Sequence, residues 1–229
     1  MIGRSISHYR ITEKLGQGGM GVVYLAEDMT LGRHVALKLL SGDLTQDPGR
    51  VARFRLEARA ASSLNHPNVC TVYEVGEAEG VYYIAAEFVD AGSLRDLLSR
   101  GRLELGPLLR LAIQIAEGLS KVHRAGVVHR DVKPENVLIS RDGFAKIADF
   151  GLARLLGVAD DAEAAQTVLS TLPGTVLGTA RYMSPEQARG LPADPRSDIF
   201  SLGLVLYEMA AGQPACADHP TTDCCSSSG

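Results

Sequence analysis

Apolar and polar positions first alternate in a strand-like way. Tyr9–Leu15, Val22–Glu27 and His34–Leu40 are β-rich runs joined by the Gly16–Gly21 cluster and a Leu31-Gly32-Arg33 turn. Short runs with Gly-bearing connections predict an antiparallel meander. The period then changes. Val51, Phe54, Ala58, Ala61 and Leu64 recur at intervals of three and four, which predicts an amphipathic helix over Pro48–Leu64. Asn65–Asn68 ends it, and Val69–Gly76 and Val81–Val89 read as two further strands.

From Gly92 the pattern becomes helical. Ser93–Arg100 is a short helix with Ser93 as N-cap. Leu108–Ala125 carries Leu108, Leu111, Ala112, Ile115, Ala116, Leu119 and Val122 on one face, with Gly126 just past its end. Short apolar pieces broken by polar clusters fill Val127–Ile147. Residues 154–180 read as a long irregular loop, of the kind that is usually functional. Pro185–Arg189 is a short helix. Ser197–Ala211 is apolar in every direction, so it is expected to be buried on all sides. The pattern implies an α+β chain with a small antiparallel β-rich lobe plus one helix, about 9–89. A larger, mainly helical lobe follows, about 90–213, with a ligand expected in a cleft between them. Residues 214–229, rich in Ser and Cys, have no period and read as a disordered or frameshift-like tail.

Composition narrows the classes. Of 229 residues, 45% are hydrophobic and 22% charged, as in folded globular chains rather than disordered or fibrous ones. A net charge of −4 argues against a nucleic-acid partner held by bulk charge. No apolar run approaches the about 18 residues of a membrane span, and the N-terminus does not read as a leader. A cytoplasmic protein with reduced thiols is therefore expected. Cys70, Cys216, Cys224 and Cys225 form no C-x-x-C pair, which argues against zinc.

Four segments carry candidate chemistry. Gly16-x-Gly18-x-x-Gly21, followed by Val23, lies between two strands, where glycines let backbone N–H groups approach phosphate oxygens. A strand and not a helix follows it, which excludes a dinucleotide fingerprint, and no Gly-Lys-Ser/Thr completes a Walker loop. Lys38, one of only five lysines, sits among apolar residues in Val35-Ala36-Leu37-Lys38 and needs a partner for its charge. Glu57 is the candidate. In His129-Arg-Asp131-Val-Lys133-Pro-Glu-Asn136, Asp131 can accept a proton, Lys133 can neutralise a phosphoryl group and Asn136 can bind a hard cation. Asp149-Phe-Gly151 adds a carboxylate on a turn, and Asp plus Asn suits Mg²⁺, which takes few protein ligands. Taken singly, each is as well explained by a turn or a surface charge.

Taken in order, these segments resemble the eukaryotic-type protein kinases. The series continues through Gly178-Thr-Ala-Arg-Tyr-Met-Ser-Pro-Glu186 and Asp198-Ile-Phe-Ser-Leu-Gly203. The Gly-Gly-Met-Gly loop and the Ser-Pro-Glu-Gln variant are most similar to bacterial Ser/Thr kinases. The resemblance implies a two-lobed protein-kinase-like fold and transfer of the γ-phosphoryl group of MgATP to Ser/Thr hydroxyls of proteins, with Mn²⁺ as a substitute ion. Gly16, Gly18 and Gly21 would cover the phosphates. Val23, Ala36 and Leu138 would sandwich the adenine, and Glu87–Val89 would be the hinge beside it. Lys38, held by Glu57, would contact phosphates. Asp131 would act as base, Lys133 would touch the γ-phosphate, and Asn136 and Asp149 would hold the metal. His129 would be anchored by Asp198. Lys133 with Thr179 fits Ser/Thr specificity, and Thr171 and Thr175 would be autophosphorylation candidates in the 152–180 loop.

The resemblance covers residues 9 to about 213. It implies further helices that cover 197–211 and an Arg that pairs with Glu186. Without them the C-lobe is expected to be incomplete, its helix 197–211 covered by a partner, and Glu186 without its partner. The alternative function is a truncated, catalytically weak or inert nucleotide-binding fragment.

Overall fold

The computed structural model describes residues 1–18, 21–40, 62–149 and 181–215. They divide into two compact units. The first comprises Met1–His66 with Cys70–Val89, and the second Pro67–Val69 with Asp90–Gly229.

The first unit is a six-stranded sheet. Its strands are β1 (Ser5–Ile6), β2 (Tyr9–Gly18), β3 (Gly21–Asp28), β4 (Arg33–Leu40), β5 (Val72–Ala78) and β6 (Val81–Glu87). Their order is β1-β2-β3-β4-β6-β5, and every pair is antiparallel. Alternation along the strands gives the sheet two faces. One carries the core: Ile6, Tyr9, Ile11, Tyr24, Ala26, Val35, Leu37, Leu39, Tyr83 and Ala85. The phenol tips buried in it are satisfied together, because Tyr9 and Tyr83 donate to the two carboxylate oxygens of Glu74, each at 2.7 Å. Burial and the Glu74 hydrogen bond push both phenols above their ordinary value.

The β2–β3 turn depends on glycine at one described position. Gly21 has φ +140°, and an added Cβ would lie 2.0 Å from the carbonyl oxygen of Leu39. No other residue fits there without moving β4. At the far end of the hairpin, Asp28 is buried. Burial opposes its charge, but the N–H groups of Leu31 and Thr30 and the Arg33 guanidinium pull its carboxyl below the ordinary value.

The second unit contains α1 (Leu94–Leu98), α2 (Leu105–Arg124), a 3₁₀ turn at Pro134–Asn136, the hairpin β7 (Val137–Ile139) and β8 (Ala145–Ile147), α3 (Pro185–Ala188) and α4 (Pro195–Ala211). Ser93 caps α1 reciprocally with Asp96, and Asp194 caps α4 with Ser197. Helix α2 buries Leu111, Ile115, Leu119 and Val122. It comes close to the hairpin at Gly118, where a Cβ would meet Asn68 O at 2.7 Å and Ile147 Cδ1 at 2.9 Å.

Several sequence expectations shift. Helix α2 starts at Leu105 and not Leu108, since Pro107 costs no hydrogen bond in a first turn whose N–H groups have no partner anyway. The strand expected from Val69 begins at Val72, because Val69 bridges Ile147 while the Asn68 amide donates to Ala145 O at 2.9 Å. Helix α4 is not buried on all sides. Ile199 is 60% and Tyr207 50% exposed, whereas its buried side carries Ser197, Asp198, Ser201 and Glu208 beside Val205 and Met209. Those polar side chains have specific partners in the fold, described below. The helix expected over Pro48–Leu64 lies outside the described residues except for its last three positions, as do the 150–180 loop and residues 216–229.

Candidate active site

The sequence-selected residues fall into two groups, one in each unit. In the first unit, the strand register puts Val23, Lys38 and Ile84 in one cross-strand row and Leu25, Ala36 and Ala86 in the next. Both rows lie on the face opposite the core. Lys38 is buried, and Val23, Ala36 and Ala86 are half-buried. Gly16 pairs with Val23 and Gly18 with Gly21 at the end of the β2–β3 hairpin where the chain passes from one strand to the next. One sheet face thus presents a lysine beside three small or β-branched side chains, capped by a glycine turn. That combination suits a flat apolar ring with a polyanion attached. Glu87 ends β6, its N–H bonded to Thr71 O at 2.8 Å and its carboxylate accepting from Thr71 N. Val89 is half-buried at the end of the unit. Glu57 lies outside the described residues.

In the second unit, Asp131, Lys133 and Asn136 form one cluster. Lys133 Nζ lies 2.8 Å from Asp131 Oδ2, and Asn136 Nδ2 donates to the same oxygen at 2.9 Å and to Asp131 O at 2.8 Å. Both protons of the Asn136 amide nitrogen are therefore committed. Its Oδ1 receives no donor among the described residues, so its remaining capacity is that of a neutral oxygen ligand. The 3₁₀ turn makes this placement: Pro134 opens it and Asn136 closes it directly into β7. Ala148 N donates to Asn136 O at 2.9 Å, so Asp149 follows one residue after a bond to Asn136. Leu138 lies in β7 opposite Lys146 and bridges Ser93.

Two non-glycine residues here have left-handed backbones, Arg130 at φ +69° and Asp149 at φ +60°. Asp tolerates this region, whereas Arg rarely adopts it and is held there by its surroundings. Buried Asp198, at the start of α4, supplies part of that hold. Its Oδ1 accepts from Arg130 N at 2.7 Å, and its Oδ2 from His129 N at 2.8 Å and from His123 Nε2 at 2.7 Å. His129 is fully buried, and its Nε2 lies 2.9 Å from Ala148 O.

Sequence reasoning missed His123, Gln187 and a three-way clamp around Arg95. Arg95 of α1 donates Nη1 to Glu208 Oε1 at 2.5 Å, Nη2 to Tyr182 OH at 2.5 Å and Nε to Glu135 Oε1 at 2.7 Å. Tyr182 OH in turn donates to Glu208 Oε2. Burial and the Glu208 hydrogen bond raise the Tyr182 phenol. A Glu inside the apolar stretch 202–211 was the available signal. Glu186 is not left bare: Ser197 Oγ donates to it and holds its carboxyl below the ordinary value.

A metal site here would draw on Asn136 and Asp149 with water completing the shell. Among the described residues no group of three or more His, Cys, Asp or Glu side chains forms an all-protein cage. No described helix is long and apolar enough to cross a membrane.

Comparison with known proteins agrees with this arrangement. The family profile described as protein kinase domain matches residues 9–227. A probable serine/threonine-protein kinase of Streptomyces coelicolor is 46% identical over 211 residues, covering 90% of this chain and 30% of the relative. Serine/threonine-protein kinase PknB of Mycobacterium tuberculosis is 44% identical over 211 residues, covering 90% of this chain and 33% of the relative. The chain thus spans about a third of the length of the curated relatives it matches. Among solved structures, the kinase domain of Mycobacterium tuberculosis PknI aligns with a TM-score of 0.73 at 28% identity, covering 93% of this chain and 78% of that one. With ordered motifs, fold and relatives in agreement, the chain belongs to the protein kinase family, in its bacterial serine/threonine branch.

Proposed function

We propose that this chain transfers the γ-phosphoryl group of MgATP to serine and threonine hydroxyls of proteins. The observation that carries this reading is the Asp131–Lys133–Asn136 cluster, tied through Asn136 O to the residue before Asp149. The bound nucleotide supplies the phosphoryl group, and its divalent metal spreads the charge that develops on it. Asp131 orients the substrate hydroxyl and takes its proton as the oxygen attacks phosphorus, and the bond to ADP breaks on the opposite side. Lys133 holds its ammonium near both groups and offsets negative charge. Asn136 and Asp149 hold the metal. Lys38, held by Glu57, takes up phosphate oxygens, and Gly16, Gly18 and Gly21 close backbone N–H groups over them. Val23, Ala36 and Leu138 contact the adenine, with Glu87 and Val89 along its polar edge. Thr171 and Thr175 are candidate acceptors for the chain's own activity, and a phosphate there would meet the guanidinium of Arg130.

Nucleotide binding tests the metal assignment. Titration calorimetry with ATP should show Mg²⁺-dependent binding in the wild-type chain and loss of that dependence in Asp149→Ala. Equal Mg²⁺ dependence in both would remove Asp149 from the metal site.

The same face carries a second expectation. Ala86 pairs in register with Ala36, so two methyl groups stand where longer side chains would narrow the space beside Lys38. ATP competitors with a bulky group directed behind the adenine should bind this chain well, and Ala86→Met should weaken only those members. A competitor series that ignores the substitution would show that other side chains fill the space.

A further inference from the structure

Gln187 uses its side-chain amide at both ends. Its Oε1 accepts from Ser184 N at 3.1 Å and from Ser184 Oγ at 3.0 Å, which closes the capping box that starts α3. Its Nε2 donates to the main-chain carbonyl of Arg130 at 2.7 Å. The first role is local and could be filled by glutamate, which is equally at home at the third position of a capping box. The second role is not local. It crosses 57 residues to a carbonyl in the peptide bond between Arg130 and Asp131.

The residue that supplies this carbonyl has an unusual backbone. Arg130 has φ +69°, a conformation that a long side chain does not adopt unaided. Asp198 grips the N–H of Arg130, and Gln187 grips its carbonyl. The two bonds hold opposite ends of one strained residue, and the next side chain along is Asp131. We infer that Gln187 is a positioning residue for Asp131: by donating to Arg130 O it fixes the peptide plane from which the Asp131 side chain projects. This inference rests on the phosphoryl-transfer reading for its consequence on rate, but not for its geometry. Gln187 makes no hydrogen bond to Asp131, Lys133 or Asn136 among the described residues, so its effect passes through the backbone alone.

Gln187→Glu separates the two roles. The carboxylate keeps both acceptor contacts to Ser184 and suits a helix N-terminus, but it cannot donate to Arg130 O. Loss of one ordinary hydrogen bond should lower kcat about 3–10-fold. The KM for ATP should stay at its wild-type value, and the melting temperature should fall by about 1–6 °C, the cost of that one bond. Hydrogen exchange followed by mass spectrometry should show faster exchange in the peptide spanning 129–136 and unchanged exchange in α3. In the wild-type chain, one Gln187 Nε2 proton should exchange slowly by NMR, a readout that needs neither activity nor a folded variant. Wild-type kcat together with wild-type exchange in Gln187→Glu, or two solvent-exchanging Nε2 protons in the wild type, would make Gln187 a helix cap only and overturn the inference. Asp131→Asn run alongside separates the two failures. If it transfers phosphate as well as wild type, the catalytic reading falls, while the exchange data still decide the position of Gln187.

Discussion

Replacing Arg95 by alanine is expected to lower the melting temperature by about 6–12 °C. The side chain is the hub of a network in which Glu208, with 4% of its side chain exposed, meets no other cation among the described residues, only Arg95 and the Tyr182 hydroxyl. Removing one partner of a buried pair leaves the other charge without compensation, which costs about 3–5 kcal/mol. The low end applies here because a third of Arg95 is exposed and water can enter. For a chain of this length each kcal/mol is worth about 2–4 °C. Adding Glu208→Gln to Arg95→Ala should recover part of the loss, because the stranded charge disappears with it. Arg95→Lys should fall between, since a point ammonium cannot reproduce a fork reaching three acceptors. Thermal melts of the four chains check this. Arg95→Ala melting at the wild-type temperature would mean that water already solvates Glu208.

The second large effect is chemical. Asp131→Asn should keep ATP affinity and stability but lose about 10²–10⁴-fold in phosphoryl transfer, the range for removing a positioned general base or a main electrostatic element. Asparagine preserves the shape. Its amide can still accept from Lys133 and from Asn136, but it cannot take a proton. The measurement is single-turnover transfer at saturating MgATP, which isolates the chemical step from product release. A loss smaller than tenfold would move the base elsewhere.

Much of this protein is legible in its residues, for reasons that differ by element. The β3 and β4 strands show because they turn one face to the core, so Val35, Leu37 and Leu39 alternate with Ala36 and Lys38. The same alternation places Lys38 with Val23 and Ala36. Helix α1 shows through its Ser93 cap and helix α2 through the stripe Leu111, Ile115, Leu119 and Val122. Two-residue β1 is too short to carry a period. The start of β5 is hidden because Val69 and Asn68 are recruited by β8, a contact 77 residues distant in sequence from Asn68 to Ala145. Helix α4 misleads most. An apolar run reads as buried all round, yet its buried side is selected by polar contacts: Asp198 to the backbone of His129 and Arg130, and Glu208 to Arg95. Hydrophobicity ranks such positions last for burial, and only the partner explains them. Candidate chemistry is legible where residues lie close in sequence, as with Asp131, Lys133 and Asn136. Gln187 went unread, although Ser184-Pro-Glu-Gln187 has the spacing of the capping box found in the structure, and nothing local points to Arg130 as its second partner.

The reaction proposed for this chain is transfer of phosphate from MgATP to serine and threonine. Incubation of the purified chain with γ-labelled ATP and a mixed protein substrate, followed by phosphoamino-acid analysis and peptide mapping, tests it directly. Label is expected on phosphoserine and phosphothreonine, including Thr171 or Thr175 of the chain itself, and is expected to be lost with EDTA and with Asp131→Asn. A folded wild-type chain that binds MgATP and transfers no label, or that labels tyrosine alone, would contradict it.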